Sequence, residues 1–283
     1  MEKSKERQVW FITGAGRGMG MDIAKAALAA GHKVVATGRN TDKLAEALGK
    51  SKNLLIAKLD ISSAADANAA AKAAVDEFGQ IDVLVNNAAN FYAGYFEELS
   101  AEEIDLQLSI TLIGPMNVTR AVLPVMRKQL SGHIISISSL AGLVGIEFGS
   151  AYAAAKFGLE GWMLSLQSEV KPFGINTTIV NPGFFRTELL TDDSTKYAGK
   201  RIDDYQERRT QQMQFWKGAN GQQPGDPAKL AAALIKIVNE KEPSVRFVAG
   251  ADAVVAADQV ALTLQKQINT HRELSSSLAY DNV

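Results

Sequence analysis

The chain has 283 residues, of which 46% are hydrophobic and 22% charged, with a formal net charge of −1. That size suits one large globular domain or two small ones, and the charge balance gives no electrostatic ground for a nucleic-acid or membrane-surface partner. There is no cysteine, which excludes disulfides, thiolate nucleophiles and zinc–sulfur sites and is compatible with a reducing compartment.

The start, MEKSKERQVWFITGAG, has a charged head but a shorter apolar run than a signal peptide needs. No apolar run reaches about 18 residues, so no membrane span is expected, and a cytoplasmic location is the expectation. Short β-rich runs recur at 9–13, 33–37, 54–59, 81–86, 133–138, 176–181 and 245–250. They are near-continuously apolar, as strands covered on both faces are. Ala- and Leu-rich segments with helical spacing lie between most of them, at 18–30, 63–78, 101–129 and 152–171. Strand alternating with helix predicts an α/β domain with a doubly wound, Rossmann-type parallel sheet. No Pro/Gly/Ser-rich linker divides the chain, so a single domain over 1–283 is expected. Residues 184–224 break the rhythm. They are too long for a loop in a compact domain and predict a helical excursion, a lid on the substrate side. The excursion ends at Asp226, a good N-cap, and Pro227, a good first helical residue. The stretch after Gly250 is Ala-rich, then polar, with an end expected to be loosely ordered.

The first strand runs into TGAGRGMG, residues 13–20, and a helix follows. Glycines at such a turn let backbone approach a pyrophosphate, and the helix N-terminus supplies N–H groups and a favourable dipole. The spacing is T-G-x-x-x-G-x-G, with Thr13, Gly14, Gly18 and Gly20, and not G-x-G-x-x-G, because position 19 is Met19. This pattern resembles the short-chain dehydrogenase/reductase family. The second strand ends ATGRN, so no carboxylate is available for an adenosine ribose. Gly38 takes that place, Arg39 follows, and Arg17 lies in the glycine loop. Two guanidiniums near one phosphate match the 2′-phosphate of NADP better than NAD; the alternative is two exposed surface arginines. The resemblance implies that Asp60 and Ile61 border the adenine, with Asp60 also a possible N-cap of the next helix. NNAA at 86–89 resembles the family's N-N-A-G, which implies cofactor contacts at Asn87 and Ala88.

SAYAAAKFG, residues 150–158, sets Tyr152 and Lys156 one helical turn apart with only alanines between. Carbonyl reduction needs a hydride on carbon and a proton on oxygen. A phenol of ordinary pKa about 10 is a sluggish donor, and an ammonium one turn away lowers that pKa, which makes Tyr152 usable as acid or base. Ser139, thirteen residues before Tyr152 at a strand end, can hydrogen-bond the substrate oxygen; Ser138 is the alternative serine. The Ser…Tyr-x-x-x-Lys set resembles the family's active site, which implies that Lys156 also holds the nicotinamide ribose. NPGFFRT at 181–187 extends the resemblance and implies that Pro182 and Gly183 pass the nicotinamide and Thr187 binds its carboxamide. The family usually carries an Asn that supports a proton relay to the lysine; here SITLIG places Thr111 there. A threonine offers one hydroxyl in place of an amide and can bond the preceding turn, so a weakened or rewired relay is expected.

His32, His133 and His271 are scattered; no metal site is expected, and each reads as a turn, strand-edge or surface residue. The charged run 196–209 reads as a solvated face. Tyr197, Tyr205, Phe215 and Trp216 either line a substrate pocket with Phe184 and Phe185 or pack the excursion onto the body. Arg186 is either a substrate-side charge or an exposed residue. The expected function is an NADP(H)-dependent oxidoreductase acting on a small, hydrophobic carbonyl or alcohol. The alternatives are a 3-oxoacyl-carrier-protein reductase, for which no clear basic patch is visible, and a nucleotide-binding regulatory protein with weak turnover. The resemblance further implies a homodimer or homotetramer joined through helices 101–129 and 152–171.

Overall fold

The apolar runs that the spacing marks as strands all enter one parallel sheet in the computed structural model, which describes residues 7–280. In chain order the strands are β1 (Val9–Thr13), β2 (Lys33–Gly38), β3 (Leu54–Lys58), β4 (Val83–Asn86), β5 (Phe91–Ala93), β6 (Gly132–Ile137), β7 (Ile175–Pro182), β8 (Thr195–Tyr197) and β9 (Arg246–Ala249). Seven of them are ordered β3-β2-β1-β4-β6-β7-β9, and β5 and β8 form a separate two-stranded pair. Every pairing is parallel. β1 lies inside the sheet, between β2 and β4, with Val9 to Thr13 all buried, because helices cover both faces. Fully burying Trp10, Phe11 and Ile12 contributes about 1.5–3 kcal/mol each.

The helices are α1 (Gly18–Ala29), α2 (Thr41–Leu48), α3 (Ala64–Phe78), α4 (Ala101–Leu108), α5 (Gly114–Gln129), α6 (Ser150–Val170), α7 (Gln206–Ala219), α8 (Pro227–Val238), α9 (Ala251–Thr270) and α10 (Arg272–Ser276). One face of the sheet packs Ile23 and Ala27 of α1 with Leu230 and Leu234 of α8. The other packs Ala70 and Ala74 of α3, Val122 and Met126 of α5, and Met163 and Leu166 of α6. Strand order reverses between β1 and β4, so the connections diverge there and leave a crevice at the carboxyl ends of the strands.

Several expectations change. The helical run over 101–129 is long and apolar enough, at a mean hydropathy of 1.3, to cross a membrane by length and composition; its α5 part packs into the core through Val118, Val122 and Met126. The stretch after Gly250 forms α9, a helix of 20 residues with only Ala253 buried. His133 is buried within β6, not at a turn or surface; burial pushes it down to about 4, and Nε2 lies 2.8 Å from Thr178 Oγ1. His32 is buried and stacked on Trp10. Asp226 caps α8 as expected, accepting from the Ala228 and Lys229 N–H groups.

Candidate active site

Beyond β1 the chain turns through Gly14 and Gly18, both at positive φ, into α1. A Cβ on Gly20 would lie 2.4 Å from both the Gly14 carbonyl oxygen and Asn87 Nδ2, so only glycine lets this loop close. Thr13 Oγ1 accepts from the N–H groups of Asn87 (2.9 Å) and Ala88 (3.1 Å), and Asn87 Nδ2 donates to the Thr13 carbonyl at 2.9 Å. The end of β4 is thereby fastened to the loop. α1 has no side-chain cap, whereas Asn40, Ser63 and Asp226 cap α2, α3 and α8. Uncapped N–H groups at a helix start are a ready anion site.

A cleft of about 830 Å³ runs from this loop across the strand ends. Its walls include Arg17, Arg39, Asp60 and Ile61, the loop residues Gly14, Gly18 and Met19, Asn87 and Ala88 after β4, and Ser139, Tyr152, Pro182, Gly183 and Thr187. Of the residues expected to meet the cofactor, only Gly20, beneath the loop, and Lys156, beside the Tyr152 ring, are not in its wall. Glycine cradle, uncapped helix and cleft size together fit a nicotinamide dinucleotide. Lys43 also lines the cleft; a surface lysine at the start of α2 carries no local signal of its own in the sequence. Asp60 is not the cap of α3, a role that Ser63 takes. Its carboxylate instead accepts from the N–H and hydroxyl of Ser62, and the Ser62 hydroxyl, aided by Arg39, holds it below the usual carboxylate range despite partial burial.

Ser139 follows β6 and caps the turn at 140–142, its Oγ accepting from Ala141 N–H at 3.1 Å. Ser138 is buried and donates to Glu160 Oε1 at 2.6 Å. Both serines line the cleft, but the Ser138 hydroxyl is taken by Glu160, and only Ser139 also borders the smaller cavity beside Tyr152. On α6, Tyr152 and Lys156 share a buried face. Lys156 Nζ donates to the Ile137 carbonyl at 2.8 Å and lies 5.5 Å from the centre of the Tyr152 ring. Burial pushes Tyr152 up to about 12, with the Ser139 hydroxyl acting in the opposite sense. Burial pushes Lys156 down to about 7, with the Glu160 charge acting in the opposite sense. In the protein alone, then, desolvation outweighs the lysine's expected effect on the phenol. The Tyr152 phenol is held neutral, and burial brings Lys156 down to about 7.

Glu160 extends the pattern of Tyr152 and Lys156, since the three recur every four residues, although a lone helical glutamate does not stand out in the sequence. The carboxylate is buried and also accepts from Asn181 Nδ2 and Arg246 Nη1. Asn181 Nδ2 donates in addition to the Ser139 carbonyl at 2.9 Å. One carboxylate thus ties α6, β7 and β9 to the serine turn.

Thr111 sits in a π-helical turn, Ser109–Ile113, between α4 and α5, and is buried. Such turns often occur at functional sites. Thr111 Oγ1 accepts from Gln107 Nε2 at 2.7 Å and donates to Asn90 Oδ1 at 2.9 Å. Gln107 Nε2 also reaches Asn90 Oδ1, and Gln107 Oε1 accepts from Tyr92 N–H. Asn90, which no local sequence pattern marks, lines the cleft.

The excursion 184–224 contains β8 and α7. At its start, the lid lies so close to the glycine loop that a Cβ on Gly18 would sit 2.7 Å from Glu188 Oε2. Its charged run is not wholly solvated, because Arg209 is buried in an ion pair with Glu98. Its aromatics divide between the two expected roles. Tyr205 stacks on Tyr95 with centroids 4.5 Å apart, and Tyr197 packs near Phe148. Trp216, Phe184 and Phe185 line a second cavity of about 110 Å³ that Ser139 and Tyr152 also border. Phe215 is half exposed. The Arg186 guanidinium donates to the Gln223 carbonyl and so closes the base of the lid.

The family model described as short chain dehydrogenase matches residues 8–198. The chain is 34% identical over 274 residues to Oxidoreductase BOA17 of Botryotinia fuckeliana, covering 96% of this chain and 99% of that one. It is also 34% identical over 245 residues to the 3-ketodihydrosphingosine reductase of Bacteroides thetaiotaomicron, covering 86% and 88%. A crystal structure of a short-chain dehydrogenase from Streptomyces avermitilis superposes with a TM-score of 0.88 at 33% identity, over 98% of this chain and all of that one.

Proposed function

The chain belongs to the short-chain dehydrogenase/reductase family of oxidoreductases, and from that premise we propose that it is an NADP(H)-dependent carbonyl reductase or secondary-alcohol dehydrogenase for a small, hydrophobic substrate. One observation carries this reading. Ser139, Tyr152, Gly183, Phe185, Thr187 and Leu189 belong to the walls of both the long cleft and the aromatic cavity. The acid/base group therefore stands where a cofactor-sized space meets a substrate-sized one.

A bound nicotinamide supplies the hydride in reduction and takes it in oxidation. The chain's own residues do the rest. Ser139 Oγ binds and orients the substrate oxygen, Tyr152 Oη gives it a proton, and the Lys156 ammonium stabilises the resulting phenolate and holds the ribose. Gln107, Thr111 and Asn90 offer a rewired route for proton resupply, the amide coming from Asn90 instead of position 111. Preference for NADP is supported by Gly38 at the end of β2 and by three cations in the cleft wall, Arg17, Arg39 and Lys43. Reduction of a ketone is also what the name of the Bacteroides relative describes. Assembly of like chains through α4–α6 is supported by the apolar side chains exposed there, Leu106, Ile113, Phe157 and Leu164.

Steady-state oxidation of NADPH and NADH, run side by side against a panel of aliphatic and aryl ketones, tests the reading. Turnover with NADPH in preference to NADH is expected. Cofactor binding without turnover on any ketone would instead favour a regulatory nucleotide-binding protein.

A further inference from the structure

The first turn of α9 is anchored to the body, with Asp252 Oδ2 accepting from the Phe184 N–H at 2.7 Å. Ala253 is buried and Ala256, Ala257 and Val260 are partly covered, which marks the face turned to the body. From Ala261 to Tyr280 every residue is exposed, Leu262 and Leu264 by more than half. A helical stretch this short is marginal in water and draws its stability from packing. Among the described residues, its own chain does not cover it.

The outward face has an order of its own. Val255, Asp258, Leu262 and Lys266 follow one another at helical steps opposite the body-facing residues, and all four are exposed. Val255 is 69% exposed and Leu262 66%. The stretch DQVALTLQK, residues 258–266, has the same chemistry in both directions from Leu262. A small residue comes first, then an aliphatic one, a glutamine and a charge. The charges are opposite, Asp258 on one side and Lys266 on the other, and neither enters an ion pair among the described residues.

We propose that this face of α9 docks a second copy of the chain, the two helices lying antiparallel about a two-fold axis at Leu262. In such a contact residue i meets j and j meets i. Leu262 then meets its own copy, and Asp258 of each helix meets Lys266 of the other. A parallel pair in register would set like charges together, so the pattern selects the antiparallel arrangement. A membrane surface is a poorer match, because it calls for a basic polar face and this one carries one acid and one base. The contact is separate from the α4–α6 face and from the chemistry of the cleft.

Two measurements on the full-length protein test the pairing. The chain has no cysteine, so Leu262→Cys and Thr270→Cys each introduce a single thiol. Mild oxidation should link Leu262→Cys into a disulfide dimer. Thr270→Cys should stay unlinked, because the axis would hold its two copies about 24 Å apart, far beyond disulfide reach. The second measurement is sedimentation velocity in a Leu164→Glu background, which charges the α4–α6 face. There Asp258→Lys and Lys266→Asp should each weaken self-association about tenfold or more, since each makes two attractive contacts repulsive. An equimolar mixture of the two should recover the association of the background protein, because each copy then meets the opposite charge. No disulfide at Leu262→Cys, equal linking at both positions, or a mixture that associates no better than its components overturns the pairing.

Discussion

Glu160 lies one turn beyond Lys156 on α6, and both are buried on the face that carries Tyr152. The carboxylate keeps the lysine from losing its proton entirely to burial, and through Ser138 and Asn181 it also fixes the turn that presents Ser139. Removing its charge acts on both at once.

Glu160→Gln keeps the shape and removes the charge. Lys156 stands at about 7 in the folded chain against 10.5 ordinarily, so its folded pKa is depressed and the substitution drops it further. Turnover at neutral pH should fall about tenfold, the energy of roughly one pKa unit, and the pH optimum should move toward acid. Linkage gives the matching stability sign. The unfolded chain binds the extra proton between about 7 and 10.5, so this group's penalty is full below pH 7 and fades as pH rises toward 10.5. Tyr152, raised to about 12 from 10, contributes in the other sense, its stabilisation being lost as pH rises through 12. A pH–rate profile of Glu160→Gln superimposable on the wild type would remove Glu160 from the active-site electrostatics.

Arg39 follows the end of β2 and lines the cleft. Arg39→Asp should raise the KM for NADPH about ten- to a hundredfold, the worth of a charge-assisted hydrogen bond, and improve the use of NADH. If the ratio of kcat/KM for the two cofactors does not move, the 2′-phosphate is not read at this end.

Thr111→Val removes two buried hydrogen bonds, to Gln107 and Asn90, which keep each other as partners. A stability loss of about 0.5–1.5 kcal/mol per bond is expected from that alone. A relay role adds a fall in kcat with an altered alkaline limb. A stability loss with unchanged kcat and pH profile would make Thr111 structural only.

Leu164 and Phe157 on α6 are each nearly half exposed. Leu164→Glu should shift a dimer or tetramer toward monomer in sedimentation velocity, because a charge in an apolar interface stays unpaired. A wild type that sediments as a monomer at micromolar concentration would rule out that interface.

The parallel sheet, the glycine loop and the Ser139–Tyr152–Lys156 set could be read from the chain because each has a local pattern. Continuous apolar runs mark buried strands, and fixed spacing puts side chains on one helical face. What stayed hidden depends on distant contacts. β5 and β8 are three residues each and exist only as a pair across about a hundred positions. Arg209 reads as a surface charge until Glu98 is seen beneath it. Asn90 acquires meaning only when the π-helical turn brings Thr111 and Gln107 to it. The balance of pKa effects at Tyr152 and Lys156 followed burial, which spacing alone does not give.

The most direct test is Tyr152→Phe, assayed for NADPH binding by fluorescence titration and for ketone reduction in the same preparation. Loss of the proton donor should reduce kcat by about 10²–10⁴-fold while leaving the affinity for NADPH within a few-fold of the wild type. Turnover within a few-fold of the wild type, with cofactor binding unchanged, would contradict the assignment of Tyr152 as the acid/base group.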